Sequence, residues 1–396
     1  MGHDTSGADQ QLADSRRPTI ATFAPRLATR LAFLVSGFGV ASWAPLVPFV
    51  KDRLRVNDGI LGLLLLFIGL GSIAAMLLTG VLSTRFGSRP IVVAGSLGLV
   101  LLLPLLPLAN TPVELAALLF CFGASLGSLD VAMNIQAIEV ERAAGTPLMS
   151  GFHALYSIGG IVGSAYMTFL LSIRTGTFTS TLVGSFLMLV TTAIAWPRLL
   201  RGRQSSSSPA SVMPRGIVWL FAIMTGITFL AEGAVLDWGA LLVTTANLAT
   251  ATHAGLGYML FSIAMTAGRF SGDAVVYRIG DRNTVFWGSI VAITGFVLVA
   301  SASRAAVAMM GFVLIGAGAS NIVPVIFRRT GAQSAMPSGS AIAAVSIFGY
   351  AGILAGPAAI GFVSKLTSLP IAFLMVAGLL CVVTTTARLA TAEPVD

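Results

Sequence analysis

Apolar residues run through this chain in long, uninterrupted blocks. Ile91–Leu108, Leu182–Trp196, Val285–Ala302 and Ile371–Thr386 carry no charged side chain. With their uncharged flanks, these blocks approach the roughly 20 residues that cross a bilayer as a helix. They do not alternate apolar and polar positions, as strands of a membrane barrel do over about 10 residues. The pattern predicts an all-α membrane protein with twelve transmembrane helices, at 27–50, 57–84, 89–109, 112–138, 148–172, 177–197, 216–245, 254–277, 283–302, 305–327, 337–364 and 368–387. Prolines 45, 48, 104, 107, 324 and 357 fall inside or near the ends of these spans, where neighbouring helices can satisfy the carbonyls they free.

The spans repeat. Arg85-Phe86-Gly87-Ser88-Arg89 returns as Arg278-Ile279-Gly280-Asp281-Arg282, an offset of 278 − 85 = 193 residues. The same offset carries Gly123-Ala124 onto Gly316-Ala317, and Gly159 and Gly163 onto Gly352 and Gly356. One register held at three places implies two copies of one unit, hence two pseudo-symmetric six-helix bundles with a site where they meet. The expected organisation is a disordered tail at 1–22, an N-terminal bundle at 23–198, a Ser-rich basic linker at 199–214, a C-terminal bundle at 215–390 and a short tail at 391–396.

Composition strengthens this picture. Only 10% of the 396 residues are charged and 56% are hydrophobic, against roughly 25% charged in soluble domains. Membrane lipid is therefore the expected solvent. The net charge of +8 does not point to nucleic acid, because the arginines sit at span ends rather than in one patch. With the N-terminus inside, Arg26, Arg30, Arg85, Arg89, Arg142, Arg198, Arg278, Arg282, Arg328 and Arg329 all fall on the inner side. The positive-inside rule thus places both termini in the cytoplasm and the chain in the inner membrane. Cys121 and Cys381 lie within spans and read as small buried hydrophobes, with no disulfide framework. There is no Walker loop, no metal-ligand spacing and no nucleophile-base set, so neither an enzyme nor a cofactor or metal site is expected.

Six plus six spans, a basic central linker and duplicated arginine loops resemble the major facilitator superfamily. Its signature loop between spans two and three, Gly-x-Leu-x-Asp-Arg-x-Gly-x-Arg, is matched here by Gly80, Leu82, Arg85, Gly87 and Arg89, with Thr84 in place of the aspartate. The resemblance implies that these loops, with Arg278, Gly280 and Arg282, gate the cytoplasmic side. Arg269 and Asp273, one helical turn apart, offer a substitute pair for the missing aspartate. Leu129-Asp130-Val131-Ala132-Met133-Asn134 and the segment from Phe152 to Gly160 resemble the fucose/proton symporter branch and its uncharacterised bacterial members. There the fourth-span carboxylate joins sugar recognition to proton coupling, a role carried onto Asp130 alone. The branch's first-span aspartate has no counterpart here.

Ionisable groups within spans are costly and usually face a bundle interior or a wet cavity. Asp130, Glu232, Asp237 and Asp273 qualify. A carboxylate that can exist in both protonation states there meets the physical requirement for proton coupling. Glu232 lies 232 − 215 = 17 residues past Arg215, roughly 25 Å along a helix and near the midplane. Asp237 is about 140° around the same helix, off its face, and reads as an outer gate or a solute contact. Asp130 and Asn134 share a face, with hydrogen-bonding suited to solute hydroxyls or to holding helices together. His153 could titrate or serve as a structural donor. Tyr156 could bond a hydroxyl. Trp43 and Trp238 could wall a sugar ring or anchor the membrane interface. Asn321 is a C-half candidate ligand.

These features predict a monomeric, proton-coupled secondary transporter for a small polar, sugar-like solute, with protons and membrane lipid as its other partners. The rival expectation, supported by 23 Phe and 14 Met, is a proton-driven exporter of lipophilic compounds.

Overall fold

A computed structural model describes residues 6–56, 58–201, 213–248 and 256–392. All of its regular elements are helical. They are α1 (Ser6–Trp43), α2 (Val47–Leu54), α3 (Asp58–Phe86), α4 (Ser88–Leu102), α5 (Pro112–Ala144), α6 (Met149–Ser172) and α7 (Thr177–Ala195), followed by α8 (Val218–Thr245), α9 (Leu256–Ser301), α10 (Ala305–Ala319), α11 (Ile322–Ala332), α12 (Ser338–Leu366) and α13 (Leu369–Ala390). Backbone helix begins at Ser6, so α1 runs through much of the stretch expected as a structureless tail. Ala, Gln, Leu and Arg, which are good helix formers, populate that stretch. The linker expected at 199–214 lies largely outside the described residues, as does the end of the chain from 393.

Eleven helical segments are long and apolar enough to cross a membrane. They account for the twelve expected spans because the 46 residues of α9 hold two of them, joined at Gly280. Gly280 has φ 77°, ψ 168°, and Gly87, between α3 and α4, has φ 80°, ψ 170°. Only glycine adopts this region readily. The duplicated loops thus share a backbone conformation as well as a sequence.

Helix starts and stops follow local chemistry. Thr111 caps α5 by accepting the Glu114 N–H at 3.2 Å, while the Glu114 carboxylate accepts the Asn110 N–H at 2.8 Å. Pro104 and Pro107 end α4 and leave a short 3-10 turn, Leu106–Leu108.

Between membrane helices, close packing replaces the hydrophobic drive that lipid removes. In the N-terminal half α1 packs on α6, α5 and α7, and α3 on α5. In the C-terminal half α8 packs on α12, and α9 on α10 and α13. Gly123 lies so close to the carbonyl of Ile68 that a methyl group would overlap it, and Gly316 stands in the same relation to Phe261. Both members of that pair are 193 residues apart, so the repeat extends to helix contacts. Phe33, Phe122 and Phe152 of the first half and Phe296, Phe312 and Phe373 of the second are all buried in one continuous core. Cys121 and Cys381 are exposed free thiols, not buried as expected; their helices turn those faces outward. The two halves meet through α3–α12, α6–α9, α5–α12 and α11 against α5 and α6.

Candidate functional site

Charged groups from both halves converge midway along this seam. The Ser346 hydroxyl of α12 donates to Asp130 Oδ2 of α5 at 3.0 Å. Arg269 of α9, 7% exposed, donates from Nη1 to the Ser157 hydroxyl of α6 at 2.8 Å. Its Nη2 lies 3.6 Å from Glu232 Oε1 of α8, within ion-pair range but too long for a hydrogen bond. Its Nε points to the Ser320 carbonyl at 3.4 Å. That carbonyl is free for a local reason: Pro324, four residues on, has no N–H to offer it. The span expected at 305–327 accordingly breaks between α10 and α11, with Asn321 at φ −110°, ψ 0°.

Tyr156 lies within electrostatic reach of Asp130, Arg269, Glu232 and Tyr258. Tyr350 is in reach of Asp130 and Tyr156. Asp130, Glu232 and Tyr156, all sequence candidates, thus belong to one cluster. Ser157, Ser346, Tyr258 and Tyr350 join it without having been singled out. Serine and tyrosine in apolar spans carry little signal of their own. The break at Pro324 is the one local clue to where Arg269 points.

The other candidates have different contacts. Asn134 is fully buried; its amide donates to the Asp130 backbone carbonyl at 2.9 Å, and its Oδ1 has no partner among the described residues. Asp237 is exposed, with Tyr258 as its charged-range neighbour. Trp238 is half-buried and packs against Gly361 of its own bundle. Trp43 is enclosed in the core and offers no open ring face, since burying so large an apolar side chain favours packing. His153 is buried between Phe33 of one bundle and Phe327 of the other, at ring distances of 5.2 and 5.9 Å. Its Nε2 has no partner among the described residues. Asn321 spends its side-chain N–H group on the Gly268 carbonyl and the Ser320 hydroxyl, both at 3.0 Å, and its Oδ1 has no partner among the described residues.

The bundles close together at the end that carries the duplicated loops. Asp273 does not pair with Arg269, which turns instead to Glu232. Its carboxylate accepts the Ser150 and Gly151 N–H groups, both at 2.9 Å, at the start of α6 in the other bundle. Glu141 of α5 accepts the neighbouring Leu148 and Met149 N–H groups at 2.6 and 2.7 Å. Two carboxylates therefore satisfy the orphan donors of one helix start, one from each half. Arg328 reaches across to Glu141 at 3.6 Å and also pairs with Asp281, while Arg329 meets Asp281 at 2.7 Å. Arg142 donates to the Gly331 carbonyl across the seam.

The expected gating residues contribute unevenly. Gly80 lets α3 approach Gly339, Ser340 and Ala343 of α12. By the 193 offset it stands opposite Asp273, so one seam is closed by small residues and the other by a carboxylate. Arg85 lies 5.2 Å over the Phe86 ring. Arg89 is half-buried, whereas Arg278 and Arg282 are exposed. Arg328 and Arg329, not the loop arginines of the second copy, make the ion pairs there. Among the described residues no three His, Cys, Asp or Glu side chains converge as metal ligands. A 530 Å³ groove lined by Leu64, Phe67, Val113 and Phe120 is apolar and apart from all of these groups.

Similarity to known proteins follows the same geometry. Residues 30–328 match the Major Facilitator Superfamily. An uncharacterized MFS-type transporter of Yersinia pestis is 46% identical over 367 residues, covering 92% of this chain and 96% of that protein. A chloramphenicol resistance protein of Streptomyces lividans is 31% identical over 173 residues, 43% of this chain and 44% of that protein. The E. coli fucose:proton symporter FucP shares the fold with a TM-score of 0.73 at 17% identity, covering 94% of this chain and 100% of that one. With its paired bundles, its repeated loops and a family match across most of its length, this multi-pass membrane protein belongs to the Major Facilitator Superfamily of transporters.

Proposed function

We propose that the chain is a proton-coupled secondary active transporter that moves a small polar, sugar-like solute across the inner membrane by alternating access. The observation that carries this reading is the pair of hydrogen bonds across the seam, Ser346 to Asp130 and Arg269 to Ser157. They put titratable groups on the two surfaces that must part when bundles rock. Asp130 and Glu232 take and release the proton; Tyr156, Ser157, Tyr258 and Ser346 offer hydroxyls to a polar solute.

The arginine-rich end is assigned to the cytoplasm by the positive-inside rule. Both termini and the 199–214 linker then lie there, and the contacts of Asp273, Glu141 and Arg328 hold the transporter shut on that side and open outward. One chain supplies both bundles, so it works as a monomer bathed in lipid. The test is uptake into proteoliposomes with and without an imposed pH gradient. Gradient-driven accumulation that is lost in Glu232→Gln supports the proposal, and transport indifferent to both removes the proton.

The second reading, a proton-driven exporter of lipophilic compounds, draws on the resemblance of part of the chain to the chloramphenicol resistance protein. The charged and hydroxyl groups at the seam favour a polar solute over that reading. Protection of cells against chloramphenicol on expression would reverse the order.

A further inference from the structure

Among the described residues, Arg269 is the one cation in the cluster formed with Asp130, Tyr156, Glu232, Tyr258 and Tyr350. Its guanidinium has five N–H donors. Nε and Nη1 are engaged by Ser320 and Ser157. The Nη2 edge makes no hydrogen bond among the described residues and faces Glu232 only at 3.6 Å. A planar fork held by two anchors, with its third edge turned toward a loosely placed carboxylate, is suited to receive another carboxylate in two-point contact.

Charge balance points the same way. While Glu232 is ionised, it compensates Arg269. Once Glu232 takes the proton, Arg269 keeps its charge within the span and loses its nearest counter-charge. A buried cation without a partner is costly. A neutral solute leaves that cost in place, whereas an acidic solute removes it.

We infer that the solute carries a carboxylate, as a sugar acid does, and that this group binds the Nη2 edge of Arg269 as Glu232 becomes protonated. The inference rests on the proton-coupled reading above and names its substrate class. Proton and anion enter together, so the cluster's net charge is the same empty and loaded. The groups that face Glu232 and would feel the exchange are Arg269 and Tyr258 from α9 and Tyr156 from α6; Asp130 from α5 and Tyr350 from α12 lie beyond Tyr156, and Asp237, further along α8, lies in reach of Tyr258. Of these, Arg269 is the nearest ion of opposite sign.

The experiment uses the purified full chain in detergent and follows thermal stabilisation by matched pairs: glucuronate against glucose, and gluconate against glucitol, at pH 5.5 and pH 8. The acid member of a pair is expected to stabilise the protein, more strongly at the lower pH. In Glu232→Gln the acid should bind at both pH values alike. In Arg269→Gln its affinity should fall by roughly tenfold or more. Arg269→Lys, which keeps the charge but not the fork, should recover part of the loss, and the double variant Glu232→Gln with Arg269→Gln guards against misfolding by removing both buried charges. Stabilisation by the neutral members, unchanged in Arg269→Gln, overturns the anion assignment and leaves the transporter reading standing. No response to any acid member overturns it as well. Loss of gradient-driven uptake in the wild-type protein counts instead against the reading on which the inference rests.

Discussion

Asp273 in one bundle accepts the backbone N–H of Ser150 in the other at 2.9 Å, so a carboxylate from the C-terminal half completes a helix of the N-terminal half. The residue before α6, Leu148, has no side chain able to cap it. The cap therefore exists only while the bundles are closed at this end. Asp273→Ala is expected to cost the closed form about 1–2 kcal/mol, a roughly five- to thirtyfold shift toward opening. Spin-label distances across the α6–α9 seam would register it. Distances unchanged in the variant would show that the cap does not hold the seam.

Glu141 and Arg328 form an ion pair, but they are not equal partners. Glu141 also holds two N–H groups at the start of α6, and its side chain is 8% exposed against 20% for Arg328. Glu141→Ala is expected to destabilise the protein by about 2–4 kcal/mol, since it strands buried donors. Arg328→Ala should cost about 1 kcal/mol, because Asp281 retains Arg329. Thermal unfolding of the two variants side by side tests the asymmetry; equal losses would argue against it.

Asp130→Asn keeps an oxygen to accept from Ser346 and removes the titrating proton. Its stability should change by less than about 1 kcal/mol. Solute exchange between the two faces of a proteoliposome should persist while stimulation by a pH gradient disappears. Retained stimulation would place proton coupling elsewhere.

Gly87 and Gly280 occupy the same glycine-only backbone region. Alanine at either position is expected to cost about 1–3 kcal/mol from strain alone. No side-chain contact enters at Gly280, where nothing lies within 4 Å of the added carbon. Similar falls in Tm for the two variants would confirm that the repeat is conformational. A fall in only one would show that the halves have diverged.

Much of this architecture was legible in the chain. Uncharged blocks located the spans, and the 193-residue offset found the halves, because lipid and duplication both act on sequence directly. Asp130 and Glu232 stood out from the cost of ionisable groups in hydrocarbon, and Tyr156 only as a hydroxyl near His153 on the same helix. The partner of Arg269 was not legible. Spacing of one helical turn pointed to Asp273, but contact along one helix competes with contact between helices, and the carbonyl freed by Pro324 draws Arg269 toward Glu232. Asn134 and Asn321 each spend the side-chain N–H group on a backbone carbonyl near at hand, and each keeps an Oδ1 with no partner among the described residues. His153 read as a switch or a donor; it packs between Phe33 and Phe327, and its Nε2 has no partner among the described residues.

The joint at Gly280 has a mechanical consequence. Helix runs up to it on both sides, with no spare residues to act as a slack tether. If the rod bearing Arg269 tilts, the tilt would be handed to the rod beyond the elbow, and the two would swing as a single lever. An inserted flexible segment at that corner would let one rod answer while the other stayed still.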